Sequence, residues 1–424
     1  MNPIALFDKS FLQSLSVDES VWFDHFFHAN ICPLFYVETL ADLGLGKHLT
    51  GNRTPDQEVA VIAQKFPEMG SWPNEHHAKL CLHNLLGHEV LFGRIQIGEG
   101  KRVEHEGRHG SVFEGSAEAE SFERWGRNEF WEIERKFASA WRRSLSSLDL
   151  DGISKTLQFL GIDGKSCKSL ADARQLADDF VSATDKPLDR MRLATQFLNI
   201  PGQYHHEILD GFYKADYPSL QGYAPYAAYV LTVEIFFQAA IASSQISSRR
   251  PSNRMDIAYL YYLPFCDIFV STDNLHLRSA PLFLRKDQEF VWGQDLKAGL
   301  KELNEYYLLK VPMKERENGI YSFASKPPVE GDFLVAKIWD RHSPKWRDQI
   351  VYAPKGPPSN VPKGGGGLAK WINDLANAPV INPDEIDRGP SNADELILKS
   401  SRRRKKGSWY QVPTWIPDPS EATD

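Results

Sequence analysis

Cysteine is scarce in this chain: four residues (Cys32, Cys81, Cys167 and Cys266) stand in 424, with no C-x-x-C pair among them. That argues against a disulfide framework and a cysteine-ligated zinc, and places the thiols, reduced, in the cytoplasm. An excess of positive charge is also missing. Lys and Arg number 49 against 56 Asp and Glu, a formal net charge of −7. Any grip on nucleic-acid phosphates must then come from a local basic surface. The segment MNPIALFDKSF lacks a basic stretch followed by a long apolar run, so no signal peptide is expected. No H-E-x-x-H occurs, since His88-Glu89 and His206-Glu207 both want a second histidine. The histidines around Cys81 (His76, His77, His83 and His88) are therefore read as surface or core residues. Gly44 to Lys47 lacks phosphate-loop spacing and follows a helix. Only Tyr226 to Ser243 is long and apolar enough to suggest a membrane span. Glu234 and Gln238 inside it favour a buried helix instead, and no membrane partner is expected.

What is present is an ordinary globular composition, 42% hydrophobic and 25% charged, long enough for two or three domains. The most informative stretch is Arg254 to Asn274. Asp256 to Leu263 reads as a short apolar helix stopped by Pro264. Cys266 to Val270 reads as a buried strand of a parallel sheet, closed by the polar cluster Ser271 to Asn274. Near the N-terminus, Ile4 to Phe7 is a minimal strand ending at Asp8-Lys9-Ser10. A second apolar run, Ile31 to Phe35, leads into a helical stretch with Glu38 and Asp42 one turn apart. Ligands of open α/β sheets bind at the carboxyl ends of the strands. The acids in these segments therefore suggest a site there.

The order strand-Asp-x-Ser, a Glu on an early helix, then a helix-borne Asp and a strand-end Asp resembles the PIN-domain nucleases. Asp8, Glu38, Asp256 and Asp273 match that family's four acidic positions, and the likeness covers roughly residues 1–45 and 220–290. The resemblance implies an α/β, three-layer PIN-like fold with a central, mainly parallel sheet. Residues 1–46 and 221–310 would form its two halves, interrupted by a large, mostly helical insertion at 47–220. Residues 311–424 would form a C-terminal extension. It also implies a metal-dependent hydrolase of phosphodiester bonds, an endoribonuclease, using one or two Mg²⁺ or Mn²⁺ ions. Clustered carboxylates repel one another, and hard divalent cations resolve that repulsion. Asp8 and Asp273 would be the main direct ligands, with Glu38 and Asp256 completing the shell or orienting water. Ser10, Thr272 and Asn274 are candidate substrate contacts, and Arg254, with Arg249 and Arg250, could hold a phosphate backbone. RNA is the expected partner, with a regulatory protein as a further one. An aspartate-nucleophile phosphatase fits poorly, because its D-x-D is absent. The non-catalytic alternative is a PIN-like scaffold for protein or RNA assembly.

Elsewhere, Glu120 to Leu148 suggests one long amphipathic helix with a core-facing aromatic stripe, and Lys168 to Phe197 two helices parted near Pro187. Gln96 to Gly115 reads as a mobile loop, Leu296 to Leu309 as a helix, and Asp332 to Ile338 as a strand. Pro354 to Gly367 is a linker, followed by a short helix at Leu368 to Asn377. The basic run Arg402 to Lys406, followed by Trp409 and Tyr410, is a solvated tail with the option of gripping nucleic acid.

Overall fold

The computed structural model describes residues 2–45, 53–97, 101–105, 108–112, 117–152, 163–216, 218–348, 396–398, 405–412 and 414. At its centre lies a five-stranded sheet, β1 (Ile4–Phe7), β2 (His28–Ile31), β3 (Ser71–Pro73), β4 (Ile268–Ser271) and β5 (Glu289–Trp292). The spatial order is β3-β2-β1-β4-β5, and every neighbouring pair is parallel. Strands covered on both faces read as unbroken apolar runs, as Ile-Ala-Leu-Phe and Ile-Phe-Val do here. The chain steps outward from β1 through β2 to β3, then returns to the other side of β1. The order reverses at β1, so a crevice opens between the carboxyl ends of β1 and β4.

Short helices follow the strands at once. Asp8 caps α1 (Lys9–Ser14), a Ser16–Glu19 capping box starts α2 (Val17–Phe26), and Pro33 opens α3 (Pro33–Leu40). Next come α4 (Pro55–Lys65), α5 (His77–Leu85), α6 (Ala117–Gly126) and α7 (Glu132–Ser146). The apolar stretch forms α8 (Pro225–Ala242), which is almost wholly buried and packs on α5 and on the helix Leu170–Ser182. After α9 (Asn253–Ala258) and α10 (Asn274–Ser279), α11 (Gly293–Lys310) packs against α2 and α12 (Leu334–His342).

Several local expectations need correction. Asp332–Ile338 is not a strand: Val335, Ala336, Ile338 and Trp339 are buried at helical spacing on α12. The single helix over Glu120–Leu148 is two, α6 and α7, because Asn128 turns into the left-handed region (φ 60°) and Glu134 caps the Trp131 N–H. The apolar helix before β4 is α9 followed by a 3₁₀ turn, Tyr259–Phe265, that carries Pro264 inside it. The sheet is wholly parallel. The range 47–220 contributes β3 as well as helices, a strand of three residues being too short to show a period. Gln96–Gly115 contains an antiparallel pair, Lys101–His105 with Arg108–Val112. The expected linker Pro354–Gly367 and helix Leu368–Asn377 lie outside the described residues.

Candidate carboxylate site at the sheet edge

The carboxyl ends of β1 and β4 bring Asp8 and Ser271 together. Asp8 Oδ1 accepts the Phe11 N–H at 2.9 Å, the N-cap bond of α1. Its Oδ2 accepts the hydroxyls of Ser10 and Ser271, each at 2.7 Å. The Ser10 proton being used on Asp8, the Thr272 hydroxyl at 2.6 Å donates to Ser10. This floor is tight, since a Cβ on Gly293 at the start of α11 would meet the Thr272 methyl at 2.6 Å.

His276 on α10 completes the inner half. Nε2 lies 2.6 Å from the Asp256 carbonyl oxygen, which can only accept, so this nitrogen is protonated. Nδ1 lies 2.8 Å from Ser271 Oγ and 3.4 Å from Asp8 Oδ2. Because Ser271 donates its proton to Asp8, Nδ1 must donate too, and His276 is an imidazolium. Burial opposes that charge, but the bond and the field of Asp8 outweigh it and raise the pKa to about 9. Reciprocally, burial works to raise the Asp8 pKa, yet His276 and Ser271 hold it below the usual carboxylate range.

The outer half is less satisfied. Glu38 on α3 accepts the Tyr259 hydroxyl at 2.7 Å, and its other oxygen is 3.8 Å from the Lys9 ammonium. Lys9 sits 3.0 Å from both oxygens of Asp42, which also takes Arg142 of α7 at 3.1 Å. Burial raises the Glu38 pKa against the opposing charge of Lys9. Asp273 caps α10 by accepting the Leu275 N–H at 2.5 Å through Oδ1. The Asp256 carboxylate takes no hydrogen bond from the described residues. Burial, then the charges of Glu38 and Asp273, push its pKa up to about 7, softened by His276 and Arg250.

Along this edge Glu38 feels the charge of Asp8, and Asp256 those of Glu38 and Asp273, with unequal commitments. Ser10 and Thr272 join them, while Asn274 is exposed on α10. Arg254 does not turn toward the site: its guanidinium pairs with Glu234 at 2.6 Å, because a buried carboxylate inside α8 demands a cation. Arg249 and Arg250 are exposed, and the charge of Arg250 reaches Asp256. Sequence reasoning assigned no role to Lys9, Ser271 or His276, which lie against Asp42, Asp8 and each other here. The spacing Ser271-x-Asp273-x-x-His276, running from a strand end into the first turn of a helix, is the signal that could have revealed two of them.

Other candidates are half-buried or buried against neighbouring side chains. His77 lies against the rings of Tyr261 and Tyr262, and burial pushes its pKa down to about 3, while Cys81 is fully buried. Of the basic tail, Lys406 and Trp409 are buried rather than solvated. Among the described residues no three His, Cys, Asp or Glu side chains stand ready as a metal-ligand set. Both Asp8 oxygens are turned onto internal donors, which accounts for part of this. Comparison of the chain with protein-family models, curated proteins and solved structures returns no match.

Proposed function

We propose that this edge is the active site of a PIN-like, divalent-metal-dependent nuclease acting on phosphodiester bonds, with RNA as substrate. The observation that carries the reading is Asp256: a carboxylate without a hydrogen-bond donor among the described residues, its pKa raised to about 7 beside Glu38 and Asp273, at the crevice where the strand order reverses. Asp256 is half-buried, and carboxylates with strongly perturbed pKa values in a cleft cluster at functional sites.

The donor set fits Mg²⁺ or Mn²⁺, being hard carboxylate oxygens short of counter-charge. Asp256, Asp273 Oδ2 and the Glu38 oxygen facing Lys9 are the atoms with capacity to spare, so these residues would hold the ion. A cation there would supply Lewis-acid stabilisation of charge on phosphate oxygens. Asp8 serves differently from the expected direct ligand. It orders Ser10, Ser271 and His276 and thereby fixes the ends of β1 and β4. Asp256 would give up its proton on admitting the ion and act there as a ligand. Lys9, held by Asp42, keeps Glu38 aimed into the site. Arg249 and Arg250 offer exposed positive charge for the substrate backbone. The four cysteines are free and buried, in keeping with a cytoplasmic location.

The scaffold reading has its own support, since Lys9 and His276 already neutralise much of the acidic charge. Labelled single-stranded RNA incubated with Mn²⁺, Mg²⁺ or EDTA separates the two. Metal-dependent cleavage that disappears in Asp273→Asn supports the nuclease. That substitution preserves a good helix cap, so it tests the charge rather than the fold. Binding of RNA without cleavage under every condition would support the scaffold.

A further inference from the structure

The segment Lys405–Gln411 is held by the α/β body as a peptide is held by its receptor. Lys405–Lys406 and Trp409–Tyr410 pair as a minimal antiparallel hairpin, Trp409 opposite Lys406. Its turn uses Gly407 at φ +58°, where a Cβ would collide with the Asp18 carboxylate, and Asp18 accepts the Ser408 N–H at 2.8 Å. Trp409 is fully buried, edge-on to Trp22 with ring centres 4.8 Å apart, and the Arg316 guanidinium covers it at 5.1 Å. Its indole N–H donates to Asn304 Oδ1 at 2.8 Å, an oxygen that also takes the Trp22 indole at 3.0 Å. The Lys406 ammonium reaches the Phe66 carbonyl at 2.7 Å, and Gln411 donates to Asp24 at 3.1 Å.

Each anchor is a specific side chain meeting a specific receptor group, and the receptor groups come from α2, the end of α4, α11 and Arg316. Asp18 takes the turn's Ser408 N–H and Asp24 takes Gln411, so hydrogen bonding and shape agree. We propose that this groove is a recognition site for a lysine–glycine–x–tryptophan turn, and that the chain's own residues 405–411 are its resident ligand. The same contacts accept that turn when a second molecule supplies it. Occupancy reaches the fold, because Asp24 also accepts the backbone N–H groups of Glu68, Met69 and Gly70 at 2.8–2.9 Å and so fixes the approach to β3.

The test uses the full-length chain with Trp409→Ala and a fluorescein-labelled peptide of residues 405–412, followed by anisotropy. The variant is expected to bind the peptide at least about tenfold more tightly than the native chain, whose groove is filled. A peptide carrying Trp409→Ala should lose at least about tenfold in affinity for the same variant. Equal binding of both peptides, or no binding by a variant with native circular dichroism, overturns the proposal. If Trp409→Ala fails to fold, Gly407→Ala replaces it, with the same expectations and the same contrary outcomes. Full protection of the 405–411 amides at the global unfolding free energy, in hydrogen exchange on the native chain, would likewise contradict a releasable ligand.

Discussion

The two edges of the central sheet carry similar residues and treat them differently. At the amino-terminal edge, Asp267 accepts the Ile4 N–H at 2.7 Å and its carbonyl takes the Glu289 N–H, tying β1, β4 and β5 at their starts. At the carboxyl edge, Asp8 accepts three hydrogen bonds and Asp273, like Asp267, accepts one, but the Asp256 carboxylate has no donor among the described residues. Burial is the largest cause raising the pKa of both Asp267 and Asp256, with neighbouring carboxylates adding to it in each. What separates a structural acid from a candidate functional one is therefore whether the fold satisfies it.

Substitutions can break this contrast in a graded way. The largest effect is expected at Asp8→Ala, which strands the buried His276 imidazolium and should cost about 3–5 kcal/mol in urea unfolding. Asp267→Ala leaves one buried backbone N–H unpaired, for a loss of about 1–3 kcal/mol. Asp256→Asn should run the other way. The folded pKa of Asp256 lies above its unfolded value, so its ionisation weakens the fold as pH rises from about 4 to about 7. Removing the charge should then stabilise the protein at pH ~8 by on the order of 1 kcal/mol, after allowance for partial exposure. His276 contributes stability that is complete below its ordinary pKa and is lost as pH climbs through about 9. Substitution by Gln should flatten that limb of the stability profile, a small effect visible only by comparison with the native curve.

Much of this architecture was legible in the chain. The apolar strands at Ile4–Phe7 and before Ser271, the polar residues at their ends, and the buried nature of α8 follow from period and composition. The site was legible as residue types at strand ends, but not as a balance of partners. Nothing in the sequence says that Asp8 is saturated by Ser10, Ser271 and His276, or that Arg254 is spent on Glu234. Those are long-range pairings, set by packing rather than by local pattern. The strand β3 was missed because three residues carry no period, and α12 because an apolar run of that length is ambiguous until its burial is seen. The tail residue Trp409 illustrates the same limit, since a tryptophan beside lysines looks like a nucleic-acid contact until Asn304 and Trp22 enclose it.

The central claim is that carboxylates left unsatisfied at the carboxyl edge, Asp256 foremost, bind a divalent cation. Calorimetric titration of Mn²⁺ into the native chain and Asp256→Asn, at pH ~6 and pH ~8, tests it directly. The account predicts binding that strengthens from the lower to the higher pH, because Asp256 must give up its proton as the ion enters, and that is lost in the variant. Absence of binding by the native chain at both pH values, or equal binding by the folded variant, would contradict it.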